Sequence, residues 1–277
     1  MKQIEILSNC EVLSATLYED EKNETVLIIA SATGVKQEYY QNFSKYLSEN
    51  GISVLTFDYC GIGRSLRKPI LELSNNAADW GKNDIESVLQ YVLKNYPNSK
   101  KVILGHSIGG QLIGLAKSSP KFDKIILLAA QSGYWRFWEG INKFKMWFNW
   151  YILFPSILNL FGYLKSKKLS GMENLPKNVA NQWKNWGKKS DYMQGDKSIV
   201  LKYYDKIKFD ISAFCIEDDD FAPQKAVEWM TSQYQNSNIK STILKPSDFE
   251  VEKIGHFGVF KNKFKATIWK TLLNEIK

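Results

Sequence analysis

Four short stretches of this chain are apolar from end to end: TVLIIA (25–30), ISVLTF (52–57), KVILG (101–105) and KIILLAA (124–130). A strand with one face in water alternates apolar and polar side chains, whereas a strand covered on both faces does not. Helical texture follows these runs, over 37–49 up to Gly51, over 79–96, and directly after Ser107. Strand–helix alternation of this kind builds a mostly parallel sheet with helices on both faces, an α/β fold. Residues 3–8 and 12–18 read as two further strands, a hairpin. Alternation resumes late in the chain. DISAFCI (210–216) is a strand, Pro223 opens a helix to about Tyr234, KSTILK (240–245) is a strand, and 261–276 is a last helix.

Between Gly133 and residue 206 the pattern breaks. Residues 134–205 are aromatic, basic and helical, and hold six of the nine tryptophans. The expected organisation is a core made of 1–133 and 206–277, with 134–205 inserted between two sheet strands as a helical cap. The formal net charge is +8, and this insertion holds 12 Lys and Arg against 5 Asp and Glu, or +7. Within it, MWFNWYILFPSILNLFGYL (146–164) is long and apolar. Asn149, Pro155 and Asn159 interrupt it, and its place between two strands of one sheet argues against a membrane span. Two cap helices broken at Pro155 are expected, with peripheral contact to a membrane interface left open. The N-terminus lacks the basic start, apolar run and cleavage site of a secretory signal, and Cys10, Cys60 and Cys215 are too scattered for a disulfide framework. A cytoplasmic location is the expectation.

Gly105-His106-Ser107-Ile108-Gly109 lies between a strand and a helix, the setting in which G-x-S-x-G forms a nucleophile turn. The serine is then held in a strained conformation beside the positive end of a helix, and side chains in place of the glycines would collide with neighbouring strands. A nucleophilic serine needs a base, and the chain has two histidines. His106 is turned away by the sharp turn it shares with Ser107. His256, in KIGHFGVF after the last strand, is left. The base needs a carboxylate to fix its tautomer, and CIEDDDFAP (215–223) offers Asp218, Asp219 and Asp220 just after a strand. Asp219, four residues before Pro223, is the expected acid, and at least two of the three are expected in solvent. No Lys-Ser/Thr follows the glycines, so a phosphate-binding loop is excluded, and with one histidine committed a His-based metal site is hard to build.

These residues resemble the α/β-hydrolase superfamily. GHSIGG resembles its nucleophile elbow, DYCGIGRS (58–65) the turn after its fourth strand, EDDDFAP its acid loop and GHFG its histidine loop, with 134–205 where the family places a lid. Within it the chain is most similar to the serine aminopeptidase and monoacylglycerol-lipase-like branch, and ATGVKQEYY, SGYW and IGHFGVF resemble a subgroup of hydrolases with no assigned substrate. The resemblance implies the triad Ser107, Asp219 and His256. It also implies an oxyanion hole from the backbone N–H of Ile108 and of a residue in ASATGV (30–35), which replaces the family's usual His-Gly. Aligning Gly34 with the family glycine gives Val35 as the second donor, with Thr33 and Gly34 as alternatives. The implied reaction is hydrolysis of a carboxylic ester in a small-molecule acyl substrate, either a lipid-like acyl ester or a small ester, without metal or cofactor. A thioesterase, an acyltransferase or a non-catalytic binding module on the same scaffold are the competing readings. No nucleic-acid motif accompanies the basic charge, and the oligomeric state is not legible.

Overall fold

The computed structural model of the chain describes residues 1–277 apart from Cys10, Glu21 and Asn23, and apart from the side chains of Leu169 and Ser170. Cys10, one of the three cysteines, therefore lies outside the described residues.

Eight strands form one sheet: β1 (Lys2–Leu7), β2 (Val12–Tyr18), β3 (Thr25–Ala30), β4 (Ser53–Phe57), β5 (Lys100–His106), β6 (Lys124–Leu128), β7 (Ile211–Ile216) and β8 (Ile239–Leu244). Their order is β1-β2-β4-β3-β5-β6-β7-β8. β2 runs antiparallel to both β1 and β4, and every other pair is parallel. Every residue of β3 and β4 is buried. Alternate residues serve opposite faces, as strand geometry requires. Val26 and Ile28 pack on one side with Val88 and Val92 of the helix Glu86–Asn95. Leu27 and Ile29 pack on the other with Phe43 and Leu47 of the helix Gln41–Ser48 and with Trp269 and Leu272 of the last helix, Ile268–Ile276. Among the parallel strands, each carboxyl end points to the same edge of the sheet, so the loops after β3, β4, β5, β6, β7 and β8 gather there.

Between β6 and β7 the chain passes through helices at Gly140–Phe148, Phe154–Phe161, Lys167–Ser170 and Lys177–Gly187. The expected break at Pro155 does not occur. A π-turn over Asn149–Leu153 joins the first two helices into one run, and Pro155 sits in the first turn of the second. The wide turn absorbs the hydrogen bond that proline cannot donate, so the helix continues. Leu158, Val179, Trp186, Tyr192 and Tyr204 of the inserted segment join the same apolar cluster as Val26 and Ile28. The insertion is thus seated on the sheet's own core. Among the described residues no helix is long and apolar enough to cross a membrane.

Candidate active site

Ser107 stands at the point where β5 ends and the helix Ile108–Leu112 begins, with φ 54° and ψ −121°. A non-glycine residue held there stores roughly 1–3 kcal/mol, maintained by the packing around it. That packing admits no side chains at the flanking glycines. A Cβ on Gly105 would lie 2.3 Å from Gly110 Cα, and one on Gly109 would lie 2.1 Å from the Ala30 carbonyl oxygen of β3. The helix start is thereby pressed against the sheet edge. Among the described residues the Ile108 N–H at this helix start has no backbone acceptor, while the Gly110 and Gln111 N–H groups bond the Ser107 carbonyl.

His256 lies on the turn after β8, buried, and its Nδ1–H donates to Asp219 Oδ2 at 2.7 Å. Asp219 Oδ1 accepts the N–H groups of Phe221 (2.8 Å) and Ala222 (3.1 Å), which hold the carboxylate in place. With its Nδ1 proton committed to Asp219, the neutral ring leaves Nε2 as an acceptor, the form a base requires. The neighbouring aspartates are not equivalent. Asp220 is exposed, as expected for part of the run, but Asp218 is half-buried. Its carboxylate accepts the N–H groups of Ile254 (3.0 Å) and Gly255 (3.1 Å) and so carries the histidine loop. One aspartate therefore holds the imidazole and the next holds its backbone.

His106 is turned away from the elbow, as the sequence predicts, and acquires a definite role. The Ala32 N–H donates to the Tyr40 hydroxyl (3.0 Å), the hydroxyl faces His106 Nδ1 (2.9 Å), and His106 Nε2 faces the His256 carbonyl oxygen (3.0 Å). A carbonyl only accepts, so Nε2 carries the proton and Tyr40 donates to Nδ1. Burial, reinforced by the nearby His256, pushes the His106 pKa well below the usual imidazole value and keeps the ring neutral. This chain ties the loop after β3, the elbow and the histidine loop together.

The structure does not bring Ser107 and His256 into hydrogen-bonding contact. Among the described residues the Ser107 hydroxyl has one side-chain partner, Gln131, at 3.4–3.5 Å. Gln131 follows β6, is buried, and also donates to the Phe221 carbonyl oxygen (3.1 Å). Phe221 in turn packs its ring on His256, with centroids 5.5 Å apart. Gln131 and Phe221 thus link the Ser107 hydroxyl to the surroundings of the His256 ring. Such long contacts are weak and easily exchanged, and catalytic hydrogen bonds in free enzymes commonly tighten only with substrate. Gln131, in QSG directly after β6, carries no catalytic signal of its own in the sequence, and only the fold brings it to Ser107.

The loop after β3 departs from expectation at Val35. Its N–H is taken by the Ala32 carbonyl oxygen (3.1 Å) in a turn, whereas the N–H groups of Thr33 and Gly34 have no backbone acceptor among the described residues. The cap reaches this loop and the acid loop. Glu173 N–H donates to the Gly34 carbonyl (2.8 Å), and the Trp138 indole donates to the Asp220 carbonyl (2.7 Å). Ser107, Asp219 and His256 are each only 6% exposed. A cleft of about 330 Å³ opens beside His256, lined in part by Phe221, Lys253, Phe257 and Lys261. Among the described residues no three His, Cys, Asp or Glu side chains gather as metal ligands.

The family model described as serine aminopeptidase, S33, matches residues 21–205. The chain belongs to this family. The S33 match runs from just before β3, through the elbow, to the end of the cap. Solved structures repeat the α/β-hydrolase fold over the whole chain. A soluble variant of monoglyceride lipase from Saccharomyces cerevisiae, in complex with a substrate analog, aligns with a TM-score of 0.69 at 11% identity, over 99% of this chain and 94% of that one. Est1E from Butyrivibrio proteoclasticus with bound ferulic acid aligns with a TM-score of 0.63 at 17% identity, over 99% of both chains. The esterase EaEST from Exiguobacterium antarcticum gives 0.63 at 16%, again over 99% of both. At these identities the likeness is one of fold. This S33-family chain is an α/β-hydrolase with a mostly parallel eight-stranded sheet.

Proposed function

We propose that this protein hydrolyses carboxylic esters through an acyl-enzyme on Ser107. The observation that carries the proposal is the buried His256–Asp219 hydrogen bond at 2.7 Å, at the same sheet edge as a serine held at positive φ. Ser107 Oγ attacks the carbonyl carbon while His256 Nε2 takes its proton. Asp219 stabilises the imidazolium that results. The oxyanion is held by the Ile108 N–H and by the loop after β3, where Thr33 and Gly34 offer N–H groups that Val35, in its turn bond, does not. The tetrahedral adduct expels the alcohol, which leaves with the proton from His256. Water, deprotonated by the same imidazole, then attacks the acyl carbon and frees Ser107 and the acid.

Support for an ester with an apolar acyl part comes from the aromatic cap and from the esterases and monoglyceride lipase that share the fold. The test is a panel of acyl esters and thioesters of graded chain length. Wild type turns over the esters, and Ser107→Ala lowers kcat on the order of 10⁶-fold. A Ser107→Ala protein with full activity refutes the proposal, and a preference for thioesters redirects it.

A further inference from the structure

The helical run Gly140–Phe161 is apolar on two opposite faces. Inward, Trp150 and Leu158 are buried, and Trp150 and Phe154 pack on Trp183 of the helix Lys177–Gly187 with centroids 5.1 and 5.8 Å away. Outward, Ile141, Phe144, Phe148, Tyr151 and Ile152 are exposed, Ile141 and Phe144 by 66% and 58%. Their spacing follows successive helical turns, so they form one stripe. The rings of Phe144, Trp147 and Tyr151 stack along it, with centroids 5.6–5.8 Å apart. A surface helix on a water-soluble body ordinarily turns charged and polar side chains outward. A contiguous exposed apolar stripe marks a surface that meets something else.

The charges around the stripe say what that is. From Gly140 to Met172 the sequence contains no Asp or Glu. Lys188 lies 4.5 Å from the Tyr151 ring centre, Lys165 4.4 Å from that of Phe161, and Lys143 5.8 Å from that of Trp135. Among the described residues none of these lysines pairs with a carboxylate, and Glu139, the acid just before the helix, is engaged by Lys225 at 2.7 Å. An apolar stripe with aromatic rings, edged by unpaired lysines and by carboxylates that are themselves paired with lysines, matches a bilayer interface. Rings and aliphatic side chains enter at the headgroup level, and lysines meet anionic headgroups. A second copy fits poorly, because two-fold pairing of this face would set the same cations against one another.

We infer that the outward face of the helix Gly140–Phe161 docks this protein on anionic lipid bilayers. The docking element is also linked to the candidate site. Trp138, just before the helix, donates to the Asp220 carbonyl at 2.7 Å, and Asn142 within it donates to the Asp220 carboxylate at 3.3 Å. Docking would therefore place the acid loop close to the lipid surface. The inference does not depend on the proposed chemistry.

The experiment is co-sedimentation of the full chain with large unilamellar vesicles, either phosphatidylcholine alone or phosphatidylcholine with 30 mol% phosphatidylglycerol. Wild type is expected to partition at least tenfold more strongly to the anionic vesicles, and to lose at least fivefold of that between 0.05 and 0.5 M KCl. Phe144→Ser with Phe148→Ser is expected to lower partitioning at least tenfold. Both side chains are exposed, so thermal melting and labelling of Ser107 by a fluorophosphonate should stay as in wild type. Lys143→Glu with Lys165→Glu should remove the preference for anionic lipid. No binding of wild type to anionic vesicles, or equal binding of wild type and the Phe double variant, overturns the inference. So does sedimentation velocity showing a wild-type dimer that the Phe variant dissolves while vesicle binding is absent. Loss of labelling with vesicle binding intact would count against the proposed chemistry alone.

Discussion

Two adjacent aspartates in this site differ by which nitrogen they serve. Asp219 accepts from the imidazole Nδ1 of His256 and is fixed by two N–H groups, whereas Asp218 accepts only from the backbone of Ile254 and Gly255. Asp219→Asn is expected to lower kcat roughly 10⁴-fold, because an amide can favour the wrong imidazole tautomer. Asp218→Ala removes two loop hydrogen bonds and is expected to cost ~1–3 kcal/mol of stability, with a much smaller loss of kcat. Steady-state kinetics and thermal melts of the two variants check this, and equal kinetic losses would contradict it. At this scale the sequence was informative where chemistry is rare. With two histidines and one strand–turn–helix serine, few assignments were open. It was uninformative where the role depends on a neighbour's backbone. Nothing in EDDDF shows that Asp218 turns toward a loop 36 residues away, and nothing in QSG shows that Gln131 meets Ser107. Val35 illustrates the same limit, since a turn hydrogen bond three residues long decides which N–H groups are left over.

Elements were legible from apolar periodicity, and their irregularities were not. The strand at 25–30 matches β3, and the helix expected over 79–96 begins at Ala77, capped reciprocally by Asn76 and Asp79, but passes through a π-turn at Trp80–Ile85. A π-turn adds one residue per turn without altering composition, so periodicity alone misses it. This one carries Asp84, fully buried, whose carboxylate accepts the Ser8 hydroxyl and the Cys60 N–H, both at 2.8 Å. It thereby fastens the helix to the end of β1 and to the turn after β4. Burial raises the Asp84 pKa to about 7. The folded state therefore holds a proton that the unfolded chain releases near pH 4, so this group's contribution to stability falls as pH rises from about 4 to about 7. Asp84→Asn keeps an acceptor for Cys60 and a donor for Ser8 and does not titrate. Its melting temperature relative to wild type is expected to rise between pH 5 and pH 8. A difference that stays constant with pH would contradict this reading.

Across the whole molecule, the candidate site rests on a sheet order that brings six loops to one edge. Local pattern predicted the parallel core, because strands covered on both faces must be apolar throughout. It did not predict that β2 would insert antiparallel between β1 and β4, since pairing is settled by contacts distant in sequence. Nor did it show that the cap would share the core of the sheet and bond both the loop after β3 and the acid loop. The three candidate catalytic side chains are nearly hidden, and the inserted segment bonds the acid loop that carries Asp219. The proposed reaction needs one further step from substrate or thermal motion, transfer of the Ser107 hydroxyl from Gln131 to His256. The most direct test is reaction with a small fluorophosphonate, followed by intact mass and peptide mapping. One adduct on Ser107 is expected, with the labelling rate falling roughly 10³-fold or more in His256→Ala. An unlabelled Ser107, or labelling equally fast without the imidazole, would contradict the account.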